Sequence, residues 1–139
     1  MSKETYDRLA LPLDITRGNH CGVTCVSVIT GKSLSECMEL FRSHYHLGKR
    51  WAGSTTHVQR ETILKSLGVE LEEQPLRRRM TLQRFVEYYA RPDHVYMIRT
   101  TRHAQLVMNG ICVDQCGVKP ISEYRGRRKF VSLAHIVKG

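Results

Sequence analysis

The dipeptide Asn109-Gly110 constrains the fold of this chain more than any other feature of its sequence. Asn-Gly is the strongest short-range signal for a two-residue β-hairpin turn, because both residues tolerate the positive φ of a type I′ turn. Short β-rich segments, 103–108 and 111–115, flank it. The sequence therefore predicts a hairpin of these two segments, and a sheet in the C-terminal part of the chain.

The hydrophobic periodicity changes near Pro92, from helical spacing before it to strand-like spacing after it. Segments at helical spacing come first, at 34–45, 56–67 and about 81–89. Two more β-rich segments follow, at 94–100 and 130–137. Helices followed by an antiparallel sheet predict the α+β class.

Polar and glycine residues mark the expected ends of the three helices. Ser33 is a predicted N-cap, with Glu36 three residues later as in a capping box. Thr81 is the corresponding N-cap of the last helix, and Gly68 closes the middle one. The inward face of that middle helix is expected to include Val58.

The run 22–30 is apolar on nearly every side and ends at Gly31. Taken alone it is compatible with a strand, since it is rich in β-branched residues. A buried helix whose first turn holds Cys21 is the alternative.

Length and composition indicate one globular domain over 1–139. The chain has 139 residues, of which 41% are hydrophobic and 25% charged. No apolar run approaches the ~18–20 residues that cross a bilayer. The N-terminus leads into no signal-type segment, so we expect a cytoplasmic protein.

The five cysteines predict free thiols in a reducing compartment, because their number is odd and they form no dense framework. Cys21 and Cys25 are four apart, as are Cys112 and Cys116, and this spacing falls within the range of zinc knuckles. The first pair, however, lies in a possible helix, and the neighbours of neither pair indicate a tight turn. We expect no metal and no other cofactor.

The net charge of +9 is concentrated in two places, at 77–79 and at Lys119 with the stretch 125–129. Such clusters bind phosphate backbones, acidic protein surfaces or anionic lipid, or they simply form a solvated face. No nucleic-acid-binding motif accompanies them. We expect a protein or peptide substrate, and the stretch 125–129 to select an acidic one. Nucleic acid is a less favoured partner. No membrane partner is expected.

Cys21 is the candidate nucleophile. A thiol attacks as thiolate, and a helix N-terminus or a nearby imidazolium lowers its pKa from roughly 8.5. Cys21 stands at the start of the possible helix, and Gly22 is expected to leave the space beside the sulfur open to a substrate. Cys25, Cys37 and Cys112 are expected to be buried and inert.

His103 and Asp114 are the candidate partners of that thiol. Across a two-residue turn they fall on neighbouring strands, opposite each other or one diagonal apart, and are within reach. A carboxylate at that position can accept the imidazole N–H and fix its tautomer, as the third member of a triad does. The other histidines have weaker settings, including His20 beside the nucleophile.

Two motifs carry a family resemblance. The segment 17–24 (Arg-Gly-Asn-His-Cys-Gly-Val-Thr), followed by an apolar run and Thr-Gly-Lys at 30–32, resembles the nucleophile region of small papain-like cysteine peptidases. It is similar to the compact phage and bacterial members and to the bacteriocin-leader peptidases. The segment 99–104 with the turn at 109–110 and Asp114 resembles their histidine strand and acid.

The resemblance implies a papain-like fold with N-terminal helices on a C-terminal antiparallel sheet, and it favours the helix for 22–30. It implies a thiol hydrolase, a peptidase or isopeptidase, that forms an acyl-enzyme. The larger members place a Gln before the Cys as oxyanion donor, which this chain lacks; Asn19 is the expected substitute, with Thr16 behind it. Acyl transfer at the same site, and a catalytically weak basic binding protein, remain the alternatives.

Overall fold

The computed structural model describes residue 18 and residues 20–138. Four α-helices lie in this part of the chain, and they are α1 (Cys21–Thr30), α2 (Leu34–Tyr45), α3 (His57–Ser66) and α4 (Leu82–Tyr88). The six strands are β1 (Glu70–Glu73), β2 (Val95–Thr100), β3 (His103–Met108), β4 (Ile111–Asp114), β5 (Gly117–Pro120) and β6 (Val131–Lys138). All strand pairs are antiparallel, in the order β1-β6-β2-β3-β4-β5. The predicted α+β class is confirmed.

The predicted hairpin is present between β3 and β4. Met108 pairs with Ile111, and the two turn residues Asn109 and Gly110 have φ values of 47° and 79°. Both lie in the left-handed region that a type I′ turn requires. The turn chemistry thus fixes the register that brings the ends of β3 and β4 together.

The sheet separates two apolar cores, because successive residues of a strand point to opposite faces. In β2, Val95 and Met97 join the core formed with α1, α2 and α3. Tyr96 and Ile98 join the second core, which contains the buried face of α4. α1 packs directly on β3 and β4 in the first core.

α1 is a buried helix, as the resemblance implied. Every residue from Gly22 to Ile29 is buried, which explains why its sequence shows no polar face. The helix ends at Gly31, whose φ of 75° is the left-handed conformation usual after a helix.

The helix caps agree with prediction in most places. The hydroxyls of Ser33 and Thr81 accept the backbone N–H groups three residues on, at 3.1 and 3.2 Å. The reciprocal capping box lies at α3, where Thr56 and Gln59 bond each other's backbone. The expectation that Val58 points inward is wrong, since 58% of it is exposed.

Strand β5 follows β4 after a turn and was not predicted, since only Val118 of its four residues favours strand structure. None of the helices between residues 20 and 138 has the length and apolar character that a bilayer crossing requires.

Candidate active site

Cys21 is the first residue of α1, and its side chain is half-buried where α1 meets β3. The sulfur is hydrogen-bonded to the His103 ring and accepts the backbone N–H of Ala104. Both neighbours come from the first two residues of β3, so the packing of α1 on that strand brings the thiol to the imidazole.

His103 and Asp114 are joined by a hydrogen bond of 2.9 Å between Nε2 and Oδ2. The hairpin register pairs Leu106 with Val113, so His103 and Asp114 stand one diagonal apart, as the turn length predicted. Because Nε2 is directed at the carboxylate, Nδ1 is the ring nitrogen left for the sulfur. The structure therefore brings Cys21, His103 and Asp114 into one continuous chain of hydrogen bonds.

Tyr124 is a further member of this group that the sequence did not reveal. Its hydroxyl lies 2.7 Å from Asp114 Oδ2, 3.0 Å from His103 Nε2 and 3.3 Å from Gln105 Oε1. Both Tyr124 and Gln105 are buried, and the Gln105 amide donates to the Ile98 carbonyl at 2.6 Å. The acid is therefore held by a buried phenol as well as by the imidazole, and the Gln105 amide lies next to that phenol.

The two oxygens of Asp114 have separate partners. Oδ2 faces His103 and Tyr124, and Oδ1 accepts the backbone N–H of Cys116 at 2.8 Å. Burial raises the pKa of this carboxyl, but hydrogen bonds from His103, Tyr124 and the Cys116 N–H outweigh it and lower the pKa below its usual value. Asp114 is an anion at neutral pH and favours a charged imidazole.

The pKa values of the thiol and the imidazole move in opposite directions. Burial opposes ionisation of Cys21, yet the hydrogen bonds from His103 and Ala104 and the nearby positive charges lower its pKa. Burial likewise opposes the imidazolium, but Asp114 and Cys21 raise the pKa of His103 to about 9. These shifts favour a thiolate–imidazolium pair at neutral pH.

Arg60 of α3 lies beside this pair and is buried, with only 5% of its surface exposed. Its Nη1 donates to the carbonyl and the hydroxyl of Thr55, both at 3.0 Å. A Cβ on Gly22 would lie 2.2 Å from Thr55 Oγ1 and 2.7 Å from Arg60 Cδ. The expectation that Gly22 leaves open space for a substrate is therefore wrong, because Thr55 and Arg60 occupy the position that a side chain of residue 22 would take.

A cleft of about 780 Å³ opens on the sulfur. Cys21, His103 and Ala104 line one part of it, and Ser54 to Val58 with Arg60 line another. Arg99, Arg102, Gln115 and Gly18 complete the lining. A cavity of this volume is of the size that accommodates ligands in proteins.

The remaining cysteines have different settings. Cys25, Cys37 and Cys112 are buried, as expected, while Cys116 is exposed. Burial raises the pKa of the Cys112 thiol to about 12 and that of Cys25 still further. Within residues 20–138, no three His, Cys, Asp or Glu side chains are grouped so that they could hold a metal ion.

Asn19 and His20 directly precede Cys21 in the sequence. Asn19, the expected oxyanion donor, lies outside the described residues, as does Thr16. His20 is buried and its Nδ1 lies 3.0 Å from the Thr24 hydroxyl.

Comparisons with family models, with curated proteins and with solved structures found no match to this chain.

Proposed function

We propose that this chain is a cysteine peptidase-like thiol hydrolase with a papain-like arrangement. Cys21 is the nucleophile, His103 the base and acid, and Asp114 the group that orients the imidazole. One observation carries the proposal: the thiol at the start of α1 meets an imidazole that is itself bonded to a buried carboxylate. The depressed thiol pKa and the adjoining cleft support it.

The chemistry follows the ordinary course of thiol acylation. The Cys21 thiolate attacks a carbonyl carbon, an S–C bond forms, and the carbonyl oxygen takes the negative charge. When the C–N bond breaks, the imidazolium gives its proton to the leaving amine. Water then attacks the thioester, its proton passes to His103, and the carboxylic acid leaves with the thiolate restored.

The start of α1 is suited to stabilising the anionic oxygen. The first N–H groups of a helix have no intrahelical acceptor, and those of Cys21 and Gly22 are at this position. The Cys21 N–H is the proposed backbone donor, as in the family that the sequence resembles. Loss of one such donor costs about 10²–10³ in rate in well-studied hydrolases.

Site-resolved alkylation tests the nucleophile. In a Cys116→Ser background, which removes the exposed thiol, iodoacetamide should label Cys21 at about pH 6 faster than free cysteine, by up to about 10²-fold, because the thiolate is present. His103→Ala should remove most of that advantage. His44→Ala, an exposed histidine of α2, is the matched control and should leave the rate unchanged.

Turnover is tested with a pool of synthetic peptides followed by mass spectrometry. Cleavage products are expected with the wild type and not with Cys21→Ala or His103→Ala. A Cys21 that alkylates no faster than free cysteine, or cleavage that persists in His103→Ala, would refute the proposed function.

A further inference from the structure

The cleft next to Cys21 is lined by cationic side chains and by no acidic one among the described residues. Arg60, Arg99 and Arg102 line it together with His57 and His103. The Asp114 carboxylate next to the site is already bonded to His103, Tyr124 and a backbone N–H. A charge of one sign concentrated in a concave, partly desolvated site attracts ligands of the opposite sign.

The surroundings of Arg60 are the main evidence, because a buried arginine is normally paired with a carboxylate. Within residues 20–138 no carboxylate forms an ion pair with it, and only Thr55 accepts from its Nη1. Its Nε–H is buried and has no acceptor there. Burial lowers the pKa of the guanidinium, but an arginine keeps its charge in proteins.

Arg99 and Arg102 extend the positive charge from Arg60 to the rim of the cleft. Both are exposed, and neither forms an ion pair with an acid among the described residues. Arg102 occupies the tight turn between β2 and β3 with a φ of 55°, a conformation that is uncommon for a residue with a long side chain. The turn holds this cation one residue away from His103.

We propose that this cleft selects substrates carrying a carboxylate close to the bond that Cys21 attacks, and that Arg60, Arg99 and Arg102 recognise it. The inference rests on the proposed function, since it names the substrate class of the same site. Arginine suits this role because its planar guanidinium donates to both oxygens of a carboxylate. The selection is made in the cleft and not by the stretch 125–129, none of whose residues lines it.

A pair of small reagents measures this selection at the sulfur itself. Iodoacetate and iodoacetamide both alkylate a thiolate with loss of iodide. They differ in that iodoacetate carries a carboxylate where iodoacetamide carries a neutral amide. Their rate ratio cancels the thiolate fraction, because both attack the same species. In the Cys116→Ser background the iodoacetate-to-iodoacetamide ratio at Cys21 should exceed that of free cysteine by about 3- to 10-fold, and should fall with added salt.

Charge-neutralising variants assign the effect to residues. Arg60→Gln and the double variant Arg99→Gln with Arg102→Gln should each lower the ratio toward that of free cysteine. Arg125→Gln with Arg128→Gln removes two exposed charges outside the cleft and is the matched control, which should keep the wild-type ratio. If Arg60→Gln fails to fold, the exposed pair Arg99 and Arg102 decides the outcome.

The outcomes separate the two proposals. Suppose that iodoacetamide labels Cys21 fast, but the iodoacetate-to-iodoacetamide rate ratio is equal in the cleft variants and the control variant. That result would overturn the carboxylate selection without contradicting the thiol hydrolase. Slow iodoacetamide labelling in the wild type would refute the hydrolase itself.

A set of peptides identifies the source of the carboxylate. Preferred cleavage of Asp or Glu peptides over their Asn or Gln counterparts would assign it to a side chain. Preferred cleavage of free-acid over amidated termini would assign it to the chain end. Equal cleavage of all four would overturn the selection.

Discussion

At the scale of single residues, the candidate site depends on how the Asp114 carboxylate is held. Three donors surround it, and one of them is the hydroxyl of Tyr124, which also lies within 3.0 Å of the His103 ring. A carboxylate that is fixed in this way keeps its charge and aligns the imidazole toward the sulfur. Tyr124 is thus a positioning residue, since it acts through Asp114 and His103.

Removal of the Tyr124 hydroxyl should weaken this alignment without removing Cys21, His103 or Asp114. Tyr124→Phe leaves Asp114 with one donor fewer, so its pKa should rise and that of His103 should fall. We expect the free energy of unfolding to drop by about 1.5–3 kcal/mol, the usual value of a hydrogen bond to a charged group. Chemical denaturation measures the stability, and NMR titration of the imidazole measures the pKa.

Tyr88→Phe is the matched control, because that hydroxyl belongs to a side chain that is 72% exposed. It should change neither quantity. A His103 titration that is identical in wild type and Tyr124→Phe would show that Tyr124 is only a packing residue.

The sequence predicted the members of the site that belong to local patterns. Asn109-Gly110 fixes the hairpin register, and that register places His103 near Asp114. Tyr124 and Arg60 lie in segments without such a pattern, and each reaches the site only through tertiary packing. A tyrosine and a surface-type cation on a helix give no signal in the sequence alone, so neither was predicted.

At the scale of elements, the start of α1 matters because three elements meet there. α1 supplies the thiol, β3 supplies the imidazole, and Arg60 of α3 packs against Gly22 together with Thr55, which precedes α3. The sequence could not decide between helix and strand for α1, since a segment buried on all sides loses the periodicity that distinguishes them. Its environment, more than its own pattern, determines its structure.

A methyl group at Gly22 should separate these elements. Alanine is favoured over glycine in a helix by about 1 kcal/mol, so Gly22→Ala would be stabilising if only helix propensity counted. Its Cβ would instead meet Thr55 Oγ1 at 2.2 Å, and we expect a net loss of about 1–3 kcal/mol from overpacking. Thermal or urea unfolding measures this loss.

Gly48→Ala is the control, because a Cβ there has no atom within 4 Å. Its effect should lie within about 0.5 kcal/mol of zero. A Gly22→Ala variant that is as stable as wild type would mean that Thr55 and Arg60 move aside at little cost.

At the scale of the whole molecule, the described residues include two separate locations of positive charge. The clusters 77–79 and 125–129 are distant in sequence but adjacent in the fold. The guanidinium carbon of Arg79 lies 3.7 Å from the centre of the Phe130 ring, and Thr81 forms an antiparallel β-bridge with Phe130. The arginines of the cleft form the other location. Net charge alone does not distinguish the proposed substrate-recognition surface from a basic face beside α4.

The pair of Cys21 and His103 also determines how global stability varies with pH. The pKa of His103 rises from 6.5 to about 9 on folding, so its stabilisation is complete below pH 6.5 and is lost as the pH rises through about 9. The pKa of Cys21 falls from 9.0, so its stabilisation is complete above pH 9.0 and is lost as the pH falls. Between these limits the two effects oppose each other, because the proton lost by the thiol is held by the imidazole.

Removing the thiol should therefore expose the pH dependence of the imidazole. In Cys21→Ala, Asp114 still raises the pKa of His103, but no thiol compensates, so stability should fall faster than in wild type as the pH rises above 6.5. The difference in slope is at most about 1.4 kcal/mol per pH unit, which corresponds to one proton. Urea unfolding at several values between about pH 6 and about pH 8.5 measures it, and all other groups cancel in the comparison. Cys116→Ser removes an exposed thiol, and its curve of stability against pH should be parallel to that of wild type. Parallel curves for Cys21→Ala as well would mean that thiol and imidazole do not share a proton, and the pair would lose its thermodynamic support.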